Sequence, residues 1–156
     1  MKSAQIHTFE THWRFARGLS GDLLRSLEND DLLFSPGDRV GPLWKQFRHI
    51  GRVQENYLNA IETGRIVFTC EGLSYGGGAS KQQLLGYLDQ LDKALTERLR
   101  DLSGSSQRVD WPDGSVDCAE HLTRMVEHEI LHHGMLIVYF QLLGRSYPES
   151  WQAWGV

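Results

Sequence analysis

The sequence predicts an all-α chain folded as a four-helix bundle, and three observations lead there. Four long segments repeat apolar residues at intervals of three and four, the period of a helix with one buried face. Start and stop signals stand at the ends of those segments rather than at random. Strand-like patterning is scarce, with one short β-like run at Ile66 to Thr69. Four amphipathic helices of this kind bury their apolar stripes against one another. With 156 residues and no internal repeat, one domain over 1–156 is expected.

The first helix is expected from about Thr8 to Asn29, with Phe9, Ala16, Leu19, Leu23 and Leu27 as its apolar stripe. Pro36 and Gly37 close the connection that follows. The second is expected to begin at Pro42, a favoured first-turn residue, and to end near Gly64. Leu43, Phe47, Ile50, Tyr57 and Ile61 form its apolar face. The third spans 80–102, where Leu84, Leu88, Leu91, Leu95, Leu99 and Leu102 fall on one side. Ser80 with Gln83 is a capping-box pattern at its start, and Gly104 lies just past its end. The fourth runs from about Asp117 to Leu143, between an Asp117/Glu120 start signal and the stop at Gly144.

Two irregular stretches separate these helices. Residues 64–79 hold the β-like run and the flexible Gly76-Gly77-Gly78, a connection long enough for helices two and three to run parallel through a crossover. Residues 103–116 include Trp111-Pro112-Asp113-Gly114, a turn signal. The tail carries Pro148, then Trp151 and Trp154 on one short helical turn, where they cover an apolar face or meet a second copy of the chain.

Composition excludes several classes. Hydrophobic residues make up 40% and charged residues 23%, a globular balance. A net charge of -4 gives no electrostatic reason for a nucleic-acid partner. No stretch reaches the ~20 apolar residues of a membrane span. Met1-Lys2-Ser3-Ala4-Gln5 offers no apolar core of a signal peptide, so a cytoplasmic location is expected. Cys70 and Cys118 lie far apart and form no C-x-x-C, which suits buried free thiols.

The chemistry lies in the histidines, of which there are seven. His128 and His132, four apart, project from one face of the fourth helix about one turn from each other. Two imidazoles so placed can share a metal ion, and imidazole suits zinc, nickel, iron or copper. Both project beside Met125, Leu136, Tyr139 and Leu143, toward the core, where an ion would satisfy one nitrogen on each ring. A third ligand must come from another helix. His49 is the candidate, at the edge of its apolar sector near Val53 and Ala60, with an exposed surface histidine as the alternative. His12 projects onto the first helix's stripe as a ligand, a pocket donor or a core histidine. His121 lies roughly 10 Å along the axis from His128, too far to share its ion. His133 points away from the pair, and His7 is expected to be exposed.

His128-Glu129-Ile130-Leu131-His132 is literally H-E-x-x-H, the zinc-and-base motif of metalloproteases. The downstream ligands of that class are missing: Met135 stands where a glycine would be needed and Val138 where a histidine would. No sheet precedes the motif to bind an extended peptide. Glu129 nevertheless projects among Leu122, Leu136 and Phe140, where a carboxylate is costly unless paired or near a metal. A catalytic base and a structural anchor to another helix both fit that placement.

Pro42-Leu-Trp-Lys-Gln-Phe-Arg-His49-Ile-Gly in the second helix, with His128-Glu-Ile-Leu-His132-His133-Gly134 in the fourth, resembles the DinB/YfiT-like family of metal-dependent proteins. The likeness covers most of the chain in length, helix order and motif placement. It departs from the commonest H-x-x-H-H-R-G-Q form at Leu131, and at His133-Gly134-Met135, which stands for Arg-Gly-Gln. The resemblance implies an up-down-down-up bundle, often a homodimer, with His49, His128 and His132 on one divalent ion. Zinc or nickel comes first, with iron, manganese and copper as alternatives. It further implies an enzyme that activates a low-molecular-weight thiol or water for a small-molecule substrate, as an S-transferase does. A metal-dependent hydrolase and a non-catalytic stress-response bundle are the alternatives. Glu129 is then the candidate catalytic base, with His12 and Tyr139 as pocket residues.

Overall fold

The apolar stripes become buried helix faces. A computed structural model, which describes residues 1–71 and 74–156, contains α1 (Ser3–Ser26), α2 (Trp44–Thr63), α3 (Lys81–Asp101) and α4 (Cys118–Leu143). The termini follow local chemistry. Ser80 accepts a hydrogen bond from the Gln83 amide and Asp117 one from the Glu120 amide, so each occupies an orphan donor of its helix. Gly64 and Gly144 close α2 and α4 in the left-handed conformation, at φ 74° and 65°. Helix α1 starts earlier and stops earlier than its stripe implied, at Ser3 and Ser26 instead of Thr8 and Asn29.

Contacts between helices fix their directions. The end of α1 meets the start of α3, where the Lys81 amide donates to Asn29 Oδ1 at 2.9 Å and Lys81 Nζ to the Leu27 carbonyl at 2.7 Å. Helices α1 and α4 run the same way: Ala4 and Thr8 share a groove with Ala119 and Thr123, and further along Ser20 bonds to Glu129. Helix α2 runs against α4, since Tyr57 meets His121 while Gln46 meets Tyr139. Helices α2 and α3 are parallel, with Glu55 on Tyr87 and Glu62 on Arg98. The order is therefore up-down-down-up, and the 64–79 connection is the crossover that parallel neighbours require. At Gly51 the α2 and α3 seam is so close that a Cβ would lie 2.2 Å from the Tyr87 ring.

Other details correct the sequence reading. Ile66 to Thr69 form no strand; the nearby backbone makes one isolated bridge, Arg65 to Asp110. Gly72 and Leu73 of the same connection lie outside the described residues. The predicted turn at Trp111 to Gly114 closes a hairpin of β1 (Arg108–Trp111) and β2 (Gly114–Asp117), with Val109 and Val116 paired and buried. Four-residue strands are too short for their alternation to stand out in sequence. Cys118 is buried as expected, whereas Cys70 is exposed; both are free thiols. In the tail, Trp151 is fully buried and Trp154 packs edge-on against Phe15. Among the described residues, no helix is long and apolar enough to cross a membrane.

Candidate metal centre

Two helices supply the site. On α2, Phe47, Ile50, Val53 and Tyr57 face the core, and His49 sits at the border of that face. On α4, the four-residue spacing stacks His128 over His132. Because α2 and α4 are antiparallel neighbours, the three rings converge. Their centroids lie 5.3 Å apart for His49–His128, 4.8 Å for His49–His132 and 4.6 Å for His128–His132. One nitrogen from each ring falls within 4.8 Å of the others. His49 is exposed, and the other two are half-buried. The cluster is open on the α2 side and closed beneath.

The donors suit a divalent ion. Zinc bonds imidazole nitrogen at about 2.1 Å, so side-chain rotations of about an ångström bring the three nitrogens into range. Each ring is biased toward the neutral base that a metal requires. Burial pushes His128 down to about 4, with the charge of His49 adding to it. Burial pushes His132 down to about 3, with its three neighbouring histidines adding. Burial also lowers His49, helped by Arg48 and Arg52.

The orientation of His132 is wired to the rest of α2. His132 Nδ1 lies 3.1 Å from Gln46 Oε1, so this nitrogen donates and Nε2 is left with its lone pair free. Gln46 Nε2 in turn reaches the Tyr139 hydroxyl at 3.5 Å, and that hydroxyl donates to the Gly41 carbonyl. Tyr139, expected at the pocket, therefore acts one step behind it and is itself fully buried. Gln46 escaped the sequence reading. Its signal was available, because it lies one helical turn before His49 on the same side of α2.

The structure does not bring the remaining candidates to the cluster. Glu129 faces α1 instead: Ser20 Oγ donates to its Oε1 at 2.6 Å, and Arg17 Nη2 lies 3.2 Å from its Oε2. Burial raises its pKa, opposed by Arg17 and Ser20. Its contacts are those of the second alternative, an anchor to another helix, and they turn it away from the His128 and His132 seam. The cause is angular: Glu129 is about 100° from His128 around α4, enough to place it in the neighbouring seam. His12 is exposed and lines a groove between α1 and α4; Trp13 takes the core position expected of it.

His133 is buried and has a definite place, contrary to expectation. The Trp154 indole donates to its Nδ1 at 3.3 Å, so Nε2 carries the proton toward Ser20 Oγ, 2.9 Å away. His121 is also fully buried, between the Trp111 indole donating to Nδ1 at 3.2 Å and the Tyr57 carbonyl 3.1 Å from Nε2.

Comparison with known proteins agrees with the fold. The family profile described as the DinB superfamily matches residues 12–136. Two solved structures share the fold. A DinB-like protein of Bacillus subtilis superposes with a TM-score of 0.73 at 18% identity, over 92% of this chain and 97% of that one. A DinB-like protein of Bacillus cereus gives a TM-score of 0.74 at 17% identity, over 90% of this chain and 93% of that one. No curated protein matches.

Proposed function

The chain belongs to the DinB superfamily, and from that premise we propose that it is a metal-dependent enzyme acting on a small molecule. His49, His128 and His132 hold one divalent ion, zinc or nickel first, and the nucleophile it activates is a low-molecular-weight thiol or water. The observation that carries the reading is the convergence of three neutral imidazole nitrogens, from two helices, at an open edge of the bundle. Three protein ligands leave a coordination position for an exogenous group, as catalytic sites do. The ion, when bound, supplies a Lewis acid that lowers the pKa of thiol or water into the neutral range.

The protein's own residues orient the ligands. Gln46 fixes the His132 tautomer, and Tyr139 fixes Gln46. In the thiol reaction, sulfur forms a bond to an electrophilic carbon and the leaving group departs with its bonding pair. The thiol proton passes to solvent, because Glu129 is committed to α1.

A screen of metal-loaded protein against bacillithiol, mycothiol and glutathione, each with an electrophile, tests the reading. Metal-dependent conjugation with at least one thiol is expected. Ester hydrolysis without thiol dependence moves the assignment to a hydrolase. Inertness toward every thiol and ester leaves a metal-binding bundle without catalysis.

The homodimer implied by the resemblance is also part of the proposal. Leu131, Met135, Val138 and Leu142 are exposed along α4 at four-three-four spacing, the stripe a second copy of that helix would cover. Sedimentation equilibrium should return twice the chain mass, and a monomer at micromolar concentration contradicts it.

A further inference from the structure

Among the described residues, five of the twelve arginines form ion pairs. Arg17 meets Glu129, Arg25 meets Asp22, Arg98 meets Glu62, Arg124 meets Asp113 and Glu120, and Arg145 meets Asp31. Of the other seven, Arg14, Arg39, Arg65, Arg100 and Arg108 are exposed, whereas Arg48 and Arg52 are half-buried. Among the described residues neither makes an ion pair or a side-chain hydrogen bond, and the Nε of each is buried without a partner. Arg48 rests on the Trp44 ring, 4.7 Å from its centroid.

Their position is specific. Taking Arg48 as the origin, about 100° per residue puts Arg52 near 40° and His49 near 100° around α2. The two arginines therefore form a half-buried stripe directly beside His49, between it and the α3 seam. The crossover connection runs over this part of α2. Asn56 Nδ2 donates to the Thr69 carbonyl at 3.3 Å, the Ser74 amide donates to Glu55 Oε1 at 3.1 Å, and the Tyr75 ring lies 5.1 Å from that of Tyr87.

Glu55, the acid on this side of α2, is already engaged. Tyr87 donates to its Oε2 at 2.6 Å, and Ser74 occupies Oε1. Glu55 keeps its charge but its oxygens are taken by neutral donors, so the two half-buried guanidinium groups stand side by side with no direct partner, an arrangement that favours an anion between them. Guanidinium forks match carboxylate and phosphate oxygens in pairs, which a point charge does not.

We propose that Arg48 and Arg52 form an oxyanion-binding subsite beside the histidine cluster, so that the small molecule reaching it carries a carboxylate or phosphate group. The proposal rests on the functional reading above and names its substrate class. The two guanidinium groups grip the anionic end, and the reactive end then falls toward His49. The arginines thereby act as binding residues of the same site.

The test separates the two claims. Metal-free protein is titrated calorimetrically with inorganic phosphate and with succinate at constant ionic strength. Saturable binding of at least one is expected, weakened about tenfold or more in the double variant Arg48→Gln/Arg52→Gln. Arg48→Lys/Arg52→Lys keeps the charges and loses the fork, so it should fall between, and it guards against a folding defect in the glutamine pair. Tighter phosphate binding assigns a phosphate-bearing substrate, and tighter succinate binding a carboxylate.

In a second arm, cobalt-loaded protein is titrated with 3-mercaptopropionate and 2-mercaptoethanol, followed by the cobalt absorption spectrum. The anionic thiol should bind about tenfold more tightly, and the preference should vanish in the glutamine pair. Equal thiol affinities in the unaltered protein, or phosphate and succinate binding that ignores both arginines, overturn the subsite. Failure to take up cobalt sinks the metal reading alone, and the phosphate arm still judges the arginines.

Discussion

Helix α4 carries two polar pairs at the same four-residue spacing, and they meet opposite fates. Glu129 and His133 face α1, where Ser20 and Arg17 reach Glu129, and Ser20 with the Trp154 indole of the tail holds His133, although Arg17 Nε and Nη1 stay buried without a hydrogen bond. His128 and His132 face α2, where the ring of His49 joins them and a nitrogen on each is aimed at the same point. The first seam is closed by the protein itself; the second presents donors that a small ion completes. Spacing alone is silent about which is which. The neighbouring helix decides: α1 brings a hydroxyl and a guanidinium, whereas α2 brings a third imidazole. The H-E-x-x-H string therefore interleaves residues of a structural seam with residues of a binding seam.

Breaking each seam should have different consequences. The largest effect belongs to the closed one. Glu129→Ala strands the Arg17 guanidinium in the interior and should cost about 3–5 kcal/mol in urea unfolding. The same experiment on metal-free His128→Ala should show a loss of about 1 kcal/mol, because that ring is only half-buried and forms no ion pair. Equal losses would erase the distinction between the seams.

Gln46→Ala leaves the ligands in place and frees the His132 ring to turn. Metal affinity should fall about 10- to 100-fold in a competition with a chelating dye, with little change in unfolding. Unchanged affinity would make the Gln46 contact incidental. Gly51→Ala, remote from both seams, should destabilise by about 1–3 kcal/mol, since its new methyl meets the Tyr87 ring. A neutral result would mean that α2 and α3 separate easily.

Acid should act on the closed seam through His133, pushed down to about 4, chiefly by burial. A histidine with a depressed folded pKa binds its proton more readily when the chain is unfolded. Stability is then fully present above about pH 6.5 and declines as pH falls toward 4. His121, lowered mainly by burial, adds a decline of the same sign. Urea midpoints of metal-free protein from pH 8 to 4.5 should follow that course, with a shallower slope in His133→Gln. An identical slope would show that His133 does not titrate on unfolding.

The sequence made the helices and the α4 ligand pair legible because both depend on local spacing. Leucines three and four apart required no partner to be interpreted, and neither did Ser80, Asp117 or Gly144 at helix ends. His49 was weaker, since an edge position on a helical wheel does not say which neighbour lies across it. His133 was beyond reach for the same reason, and Glu129 could not be decided between base and anchor, because α1 sets both roles across a seam that no periodicity encodes; Gln46, one turn before His49, was legible and was passed over. His12 shows the reverse error. The first helix's buried stripe includes Trp13, and its true phase leaves His12 in solvent. The Arg48/Arg52 pair stands out only in three dimensions, where both side chains are half-buried without an ion pair.

The central claim is that His49, His128 and His132 hold one divalent ion together. Elemental analysis of protein purified without chelators, beside His49→Ala, His128→Ala, His132→Ala and the closed-seam variant His133→Ala, tests it most directly. About one zinc or nickel per chain is expected in the unaltered protein and in His133→Ala, with strong loss in each of the other three. Full occupancy in His49→Ala, or loss in His133→Ala equal to the rest, would contradict it.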